Sequence, residues 1–402
     1  MLASPIHILL AVLFVYCALS VLYLFGLSLG GRLFYRRRFR PSDTPKHRIA
    51  ILVPAYREDG IILSTARNLL QLNYPAELYD IYILADSFQP DTIASLKELP
   101  IEVLEVRFDK STKTKSLNEG FSRIAKPYDI ALICDADNML ARDFLLQIDG
   151  AFSQGARAVQ GRRVAKNLDT SFAILDACSE AINNNIFRKG ANALGLSSAV
   201  IGSGMAFEYD RVRQVLSEID AVGGFDKPLQ LKIVAQGIRI EYLEEALVFD
   251  EKVDSPEAFQ NQRKRWVSSQ FIYLRRYFAP AMKQLFKGNA SYFNLAVANN
   301  LVLPRAFLLL VLPLLVLGSW FFSATWALAF LALWALYLLA LLIALPGRLV
   351  NRDLMKAVLR LPRAIGAMVA ALFHMKKAKE TFIHTVHTKT EVSNTLFNDH
   401  GN

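Results

Sequence analysis

The chain has 402 residues, 53% of them hydrophobic, and carries 46 Lys and Arg against 36 Asp and Glu for a formal charge of +10. That length allows one large domain or two, and the hydrophobic share is high for a soluble protein. Three cysteines exclude a disulfide framework, and the basic excess sits in two short blocks beside apolar runs, which argues for headgroup contact and against nucleic acid.

The first element is Ile6–Leu29, almost wholly apolar, with His7 its single basic side chain. A crossing helix needs about 20 such residues. No basic residue precedes the run and it is too long for a signal peptide, so residues 1–31 are expected to form an uncleaved transmembrane helix. Arg32, Arg36, Arg37, Arg38 and Arg40 follow it. Cytoplasmic flanks concentrate Lys and Arg. The expected topology is therefore multi-pass in the inner (plasma) membrane, with the N-terminus outside and the large middle segment cytoplasmic.

Apolar runs then alternate with helical patterns. Ile49–Val53, Asp80–Leu84, Ile101–Val106 and Ile130–Cys134 read as buried strands; Ile61–Leu72, Thr92–Leu99 and Ser111–Ala125 read as helices between them. This order predicts an α/β fold, a mostly parallel sheet with helices on both faces. Further on, a helix is expected over 255–278. From Ala306 to Pro346 no residue is charged, which predicts two crossings with a turn near Gly318–Ser323. Ala364–Met375, bracketed by basic residues, reads as an interfacial helix. Cys17 falls in the first span, and Cys134 and Cys178 read as buried, in keeping with a reducing compartment.

Ligands of such sheets bind beyond the carboxyl ends of the strands. Those ends are polar here: Pro54-Ala55-Tyr56-Arg57-Glu58 after the first, Asp86 after the second, Asp135-Ala136-Asp137 after the fourth. One Asp-x-Asp is ordinary turn chemistry, but three polar tips on one edge are harder to explain that way. Two carboxylates so spaced can share a hard cation, Mg²⁺ or Mn²⁺, with a diphosphate as its other partner. Lys113 and Lys115 would add positive charge nearby. No Gly-x-x-x-x-Gly-Lys-Ser/Thr loop is present, which argues against a P-loop ATPase.

These residues resemble the membrane-bound, inverting family 2 glycosyltransferases, the group that includes cellulose and hyaluronan synthases and bacterial exopolysaccharide transferases. The resemblance covers roughly residues 45–390 and rests on an ordered set of stretches: "VPAYRE", "LADSFQPDT", "KTKSLNEG", Asp135-x-Asp137, "GSGMAF", Gln262-Arg263-Lys264-Arg265-Trp266 and "FIHTVHTKT". It implies a GT-A-like catalytic domain over 45–290, two transmembrane helices within 300–346, and an interfacial helix with a cytoplasmic tail over 350–402. It further implies a UDP-sugar donor bound by Pro54, Ala55, Tyr56, Glu58, Asp86, Lys115 and Asp135. The cation would lie on Asp135 and Asp137. Gly202, Ser203, Gly204, Gln262, Arg265 and Trp266 would serve the acceptor and the diphosphate.

The general base implied by the resemblance is Asp226, in "AVGGFDKPLQLK", although Phe225 stands where the family carries Glu. Asp220 and Glu251 are the weaker alternatives, and a helix N-cap before Leu229–Ala235 is the structural one. A single base facing the leaving group gives inversion, so the expected activity is a hexosyl or N-acetylhexosaminyl transfer to a growing polysaccharide or a lipid-linked acceptor. Three crossings are few for a self-sufficient pore, which leaves room for an export or channel subunit. A catalytically silent membrane scaffold and a nucleotidyl- or phosphotransferase on a similar sheet are the competing expectations.

Overall fold

The computed structural model describes residues 5–219, 224–253, 256–359, 388–394 and 396, with the backbone alone over 256–268. The expected interfacial helix at Ala364–Met375 lies outside these residues. The chain forms two compact units: one built from Arg36–Glu180, Ser197–Phe259 and the described residues of the C-terminal segment, the other from the N-terminal helix, Ala181–Leu196 and the described residues of Gln260–Lys376.

The first unit holds one eight-stranded sheet, ordered β3-β2-β1-β4-β7-β6-β8-β5. Its strands are β1 (Ile49–Tyr56), β2 (Tyr79–Asp86), β3 (Glu102–Val106), β4 (Ile130–Ile133), β5 (Met139–Leu140), β6 (Ala158–Ala165), β7 (Met205–Glu208) and β8 (Glu241–Asp250). β1 to β4 pair in parallel, as the alternation of runs and helices predicts. β7 then enters antiparallel to both β4 and β6, and β5 antiparallel to β8. Ile49, Ala50, Ile51, Leu52 and Val53 are each wholly buried, because both faces of a parallel sheet are covered by helices. Each such Ile or Leu contributes about 1.5–3 kcal/mol over its exposed state. On one face Ile49, Ile51 and Val53 share a core with Ile62, Ala66 and Leu69 of the helix Ile62–Leu69 and with Phe144 and Ile148 of Phe144–Ser153.

β1 and β2 run past their apolar cores. The register continues through Pro54↔Leu84 to Tyr56↔Asp86, so the polar tips inferred from the sequence belong to the strands themselves. At the other end of β1, Asp149 collects the chain. Its Oδ1 accepts from the backbone N–H groups of Lys46 (3.2 Å) and His47 (2.9 Å) and from the Tyr74 hydroxyl (2.9 Å), with His47 Nδ1 at 2.8 Å.

In the second unit, helix Pro5–Leu29 continues as a π-type turn to Phe34, and Pro5–Phe34 and Ala324–Ala344 are each long and apolar enough to cross a bilayer. Arg305–Trp320 has 16 residues and is joined to 290–301 across a 51° bend, so together they make a broken span or a re-entrant segment. The expected pair of crossings after residue 300 is thus one full helix and one short one, divided at Phe321–Ser323. Leu24, Phe330 and Tyr337 are buried between these helices. Val12, Leu19, Leu22, Leu328 and Leu342 are exposed apolar side chains, the surface a lipid environment favours. Two hydroxyls within the unit are satisfied by main-chain carbonyls: Ser28 donates to that of Ala340 (2.9 Å) and Tyr337 to that of Arg305 (2.7 Å).

Candidate active site

The carboxyl ends of β1, β2 and β4 bring the acidic tips to one edge. Asp86 closes β2 and is buried; the Ser87 hydroxyl donates to its Oδ1 at 2.9 Å. Ser87 and Arg57 both adopt positive φ (60° and 55°), a costly backbone state for side chains of this size. The Arg57 N–H donates to the Asp86 carbonyl at 3.1 Å, tying the β1 and β2 tips together. Of the first loop, Pro54, Ala55 and Tyr56 lie on β1; the Arg57 guanidinium stacks over the Tyr56 ring at 5.1 Å, and the Glu58 carbonyl accepts the N–H groups that begin the next helix.

β4 delivers Asp135 and Asp137. The Lys113 ammonium forms an ion pair with Asp135 Oδ1 and donates to the Gly202 carbonyl at 2.6 Å. Lys113 opens the helix Lys113–Arg123, capped by Thr112, whose Oγ1 accepts from the Lys115 N–H. The family resemblance selected Lys115, but its ammonium turns to the Lys110 carbonyl at 3.2 Å. Two residues of difference place these side chains on different sides of a helix, and Lys113 is the one that faces the Asp-x-Asp.

The stretch 202–204 packs directly against that loop. The Asp135 N–H donates to Ser203 Oγ (2.9 Å), and Ser203 in turn donates to Asn138 Oδ1 (2.5 Å). Gly202 and Gly204 have φ of +86° and +60°; a Cβ on Gly204 would lie 2.2 Å from Val248 Cγ2, so this turn admits only glycine there. The buried amide of Gln160 holds the same turn, donating to Ser203 and Gly204 carbonyls and accepting from the Ile201 N–H. Gln160, Asn138 and Lys166 were not foreseen from the sequence: Asn138 directly follows the Asp-x-Asp pair, and no local pattern marks Gln160 or Lys166.

Phe225 is buried, with its ring 5.2 Å from the Lys113 ammonium, a cation–π contact. Asp226 is the first residue of the helix Asp226–Ala235; Phe225 occupies the N-cap position and no side chain caps the helix. The N-cap alternative for Asp226 is therefore not what the structure shows. Burial pushes the Asp226 carboxyl above the ordinary range, against the opposing charges of Lys227 and Lys113. Glu251, the weaker alternative, accepts from the Thr388 and Lys389 backbone N–H groups. Asp220 and the side chains of Gln262, Arg265 and Trp266 lie outside the described residues; the backbone around the last three is helical, within Pro256–Phe286.

The donor set suits a divalent cation. Asp135 already accepts a cationic partner at a partly open strand tip, and Asp137 follows two residues on. Among the described residues no three His, Cys, Asp or Glu side chains converge, so a cation held by Asp135 and Asp137 would complete its shell with phosphate oxygens and water, as Mg²⁺ and Mn²⁺ do.

The fold and this edge define a GT-A-like domain. Residues 45–269 match the family described as glycosyltransferase like family 2, and the chain belongs to that family. It is 29% identical over 230 residues to the beta-monoglucosyldiacylglycerol synthase of Trichormus variabilis, covering 54% of this chain and 48% of that protein. It is 23% identical over 249 residues to the probable glycosyltransferase YdaM of Bacillus subtilis, covering 58% and 57%. The chain thus spans about half the length of these relatives. Among solved structures, the mannosyltransferase PcManGT of Pyrobaculum calidifontis, in complex with GDP-Man and Mn²⁺, superposes with a TM-score of 0.57 at 16% identity, covering 92% of this chain and 99% of that one. The curated relatives that bear a specific name are beta-monoglucosyldiacylglycerol synthases, which moves the likeness away from the cellulose and hyaluronan synthases.

Proposed function

We propose that the protein transfers a hexose from a UDP-sugar to a membrane lipid, inverting the anomeric carbon, with its catalytic domain on the cytoplasmic side and its N-terminus outside. The observation that carries this reading is the link through Lys113: its ammonium pairs with Asp135, the first carboxylate of the cation site, and lies over the ring of Phe225, next to Asp226. Donor side and base are thereby joined by one side chain.

Asp135 and Asp137 would hold the cation, which when bound supplies Lewis-acid neutralisation of the leaving diphosphate. Lys113, freed from Asp135, would stay beside that charge. Asp226 takes the proton of the attacking hydroxyl as general base, a contribution of about 10²–10⁴-fold. Its raised affinity for a proton suits the role, since a base poised closer to the operating pH accepts the proton more readily. No second carboxylate nucleophile is needed when one base faces the leaving group. Two crossing-length apolar helices give the acceptor a reason to be a lipid, and the names of the relatives supply the class: a glycerolipid with a free hydroxyl.

Membranes carrying the protein, given UDP-glucose, Mn²⁺ and diacylglycerol, should release UDP and form a glucosylated lipid; Asp137→Ala and Asp226→Asn should abolish both. Activity with GDP-mannose in place of UDP-glucose would replace the donor while leaving the mechanism. Absence of release with every nucleotide sugar, from folded protein, would establish the silent scaffold instead.

A further inference from the structure

Residues 388–394 and Leu396 are remote in sequence from the Asp-x-Asp loop, yet they pack on the sheet that carries it. The Ser393 N–H and hydroxyl both point at the Lys166 carbonyl (3.0 and 3.2 Å), and the Asn394 amide donates to that of Ala165 at 2.8 Å. The Lys389 ammonium pairs with Asp169 at 2.6 Å. Val392 and Leu396 pack against a core formed by Met139, Val164, Leu247 and Phe249, among others.

Lys166 carries the connection inward. Its side chain is wholly buried, and its ammonium donates to the Asp137 carbonyl at 3.0 Å. A buried ammonium is expensive unless compensated; Asp137, Glu251 and Asp250 supply opposing charge, although burial still lowers its proton affinity. Glu251 is itself tied to the tail by the Thr388 and Lys389 N–H groups. Met139, two residues beyond Asp137, is a second, apolar link from tail to loop.

We propose that Lys166 is a positioning residue that fixes the main chain at Asp137, and that the segment 388–396 is the brace holding Lys166 in place, so that the tail forms part of the donor- and cation-binding apparatus. The proposal rests on the reading of Asp135 and Asp137 as cation ligands. Groups that hold a metal ligand in place typically alter the metal's affinity 10–100-fold when removed. Coupling between tail docking and ligand binding must run both ways.

The test measures Mn²⁺ binding in the presence of UDP by electron paramagnetic resonance of the free ion, alongside donor KM and kcat, in the full-length detergent-solubilised protein. Lys166→Met and Ser393→Pro should each weaken Mn²⁺–UDP binding by about tenfold and raise the donor KM more than they lower kcat; Ser393→Ala, which keeps the N–H, should have a smaller effect. Wild-type binding in folded Lys166→Met and Ser393→Pro would overturn the brace. Should either variant fail to fold, limited trypsin digestion of the wild type decides: Mn²⁺ with UDP should slow cleavage after Lys389 several-fold, and unchanged cleavage overturns the proposal. Asp137→Ala is the control for the underlying reading. If it binds Mn²⁺–UDP normally, the cation site itself is wrong and the brace falls with it; if it loses binding while the other two variants keep it, only the brace is wrong.

Discussion

The ammonium of Lys113 is paired with the carboxylate of Asp135. A lysine and a divalent cation cannot share that oxygen without cost, so on the proposed reading of Asp135 as a cation ligand the two compete. Lys113→Met should therefore tighten binding of Mn²⁺ alone, because Asp135 no longer has an ammonium on it, and weaken binding of the UDP-sugar, because the diphosphate loses a positive neighbour. Titrating each ligand separately checks this; parallel weakening of both would show that Lys113 does nothing but support the fold.

Asp226 holds its proton more tightly than an ordinary carboxyl, through burial. A general base works only when deprotonated, so kcat/KM should climb with pH along an acid limb displaced above the usual Asp value of about 3.9. The stability effect has the matching sign. A raised folded-state pKa makes the group's contribution greatest at low pH, and that contribution is lost as pH rises through the folded value. Asp226→Asn should abolish transfer while its unfolding temperature, relative to wild type, improves as pH increases. A pH profile whose acid limb lies at the ordinary carboxylate value would rule out Asp226 as the base.

The two positive-φ glycines of the 202–204 turn separate strain from collision. Around Gly202 an added Cβ meets nothing closer than 3.9 Å, so Gly202→Ala should cost only the backbone penalty, about 1 kcal/mol. At Gly204 the Cβ would strike Val248 Cγ2 at 2.2 Å, and Gly204→Ala should cost at least twice as much, roughly 2–4 kcal/mol. It should also disturb Ser203 and, through it, the Asp135 N–H. Denaturant unfolding and metal activation curves measure the two effects.

Asp149 shows how the opposite end of the sheet is secured. Burial alone would raise its pKa, but hydrogen bonds from Ser42, His47 and Tyr74 hold it down to about 2. A depressed folded-state value stabilises the fold above the unfolded pKa and is lost as pH falls through about 2. Asp149→Ala should destabilise the protein by about 2–4 kcal/mol near neutral pH, through unsatisfied donors. The deficit should shrink in acid, which unfolding at pH 7 and pH 3 would reveal.

β3, at the sheet edge, pairs as expected but is not the buried strand its sequence suggested, with only Val106 buried; β1, β2 and β4 were legible because a buried parallel strand must be an apolar run, and the helices between them show their own period. Their polar tips were legible because Asp86 and Asp135 interrupt those runs abruptly. β7 was not: Met205–Glu208 is four residues long and antiparallel, set by pairing with β4 and β6, partners that local pattern cannot see. Lys113 and Lys115 differ by two positions, and only the placement of the helix start at Thr112 decides which reaches Asp135. Phe225, a departure from the expected Glu, gains a meaning in three dimensions as the ring beneath Lys113. Lys166 reads as one more surface lysine after a strand; its burial depends on a tail more than 200 residues later, a contact with no local trace.

The helix Arg305–Trp320, at 16 residues, is about 24 Å long, short of a hydrocarbon core about 30 Å thick. Its far end carries Trp320, Phe321 and Phe322, all exposed, side chains that prefer the headgroup level. Residues 290–301 precede it across a 51° bend, so the apolar length this part of the chain offers a bilayer is set by that bend and not by the 16 residues alone.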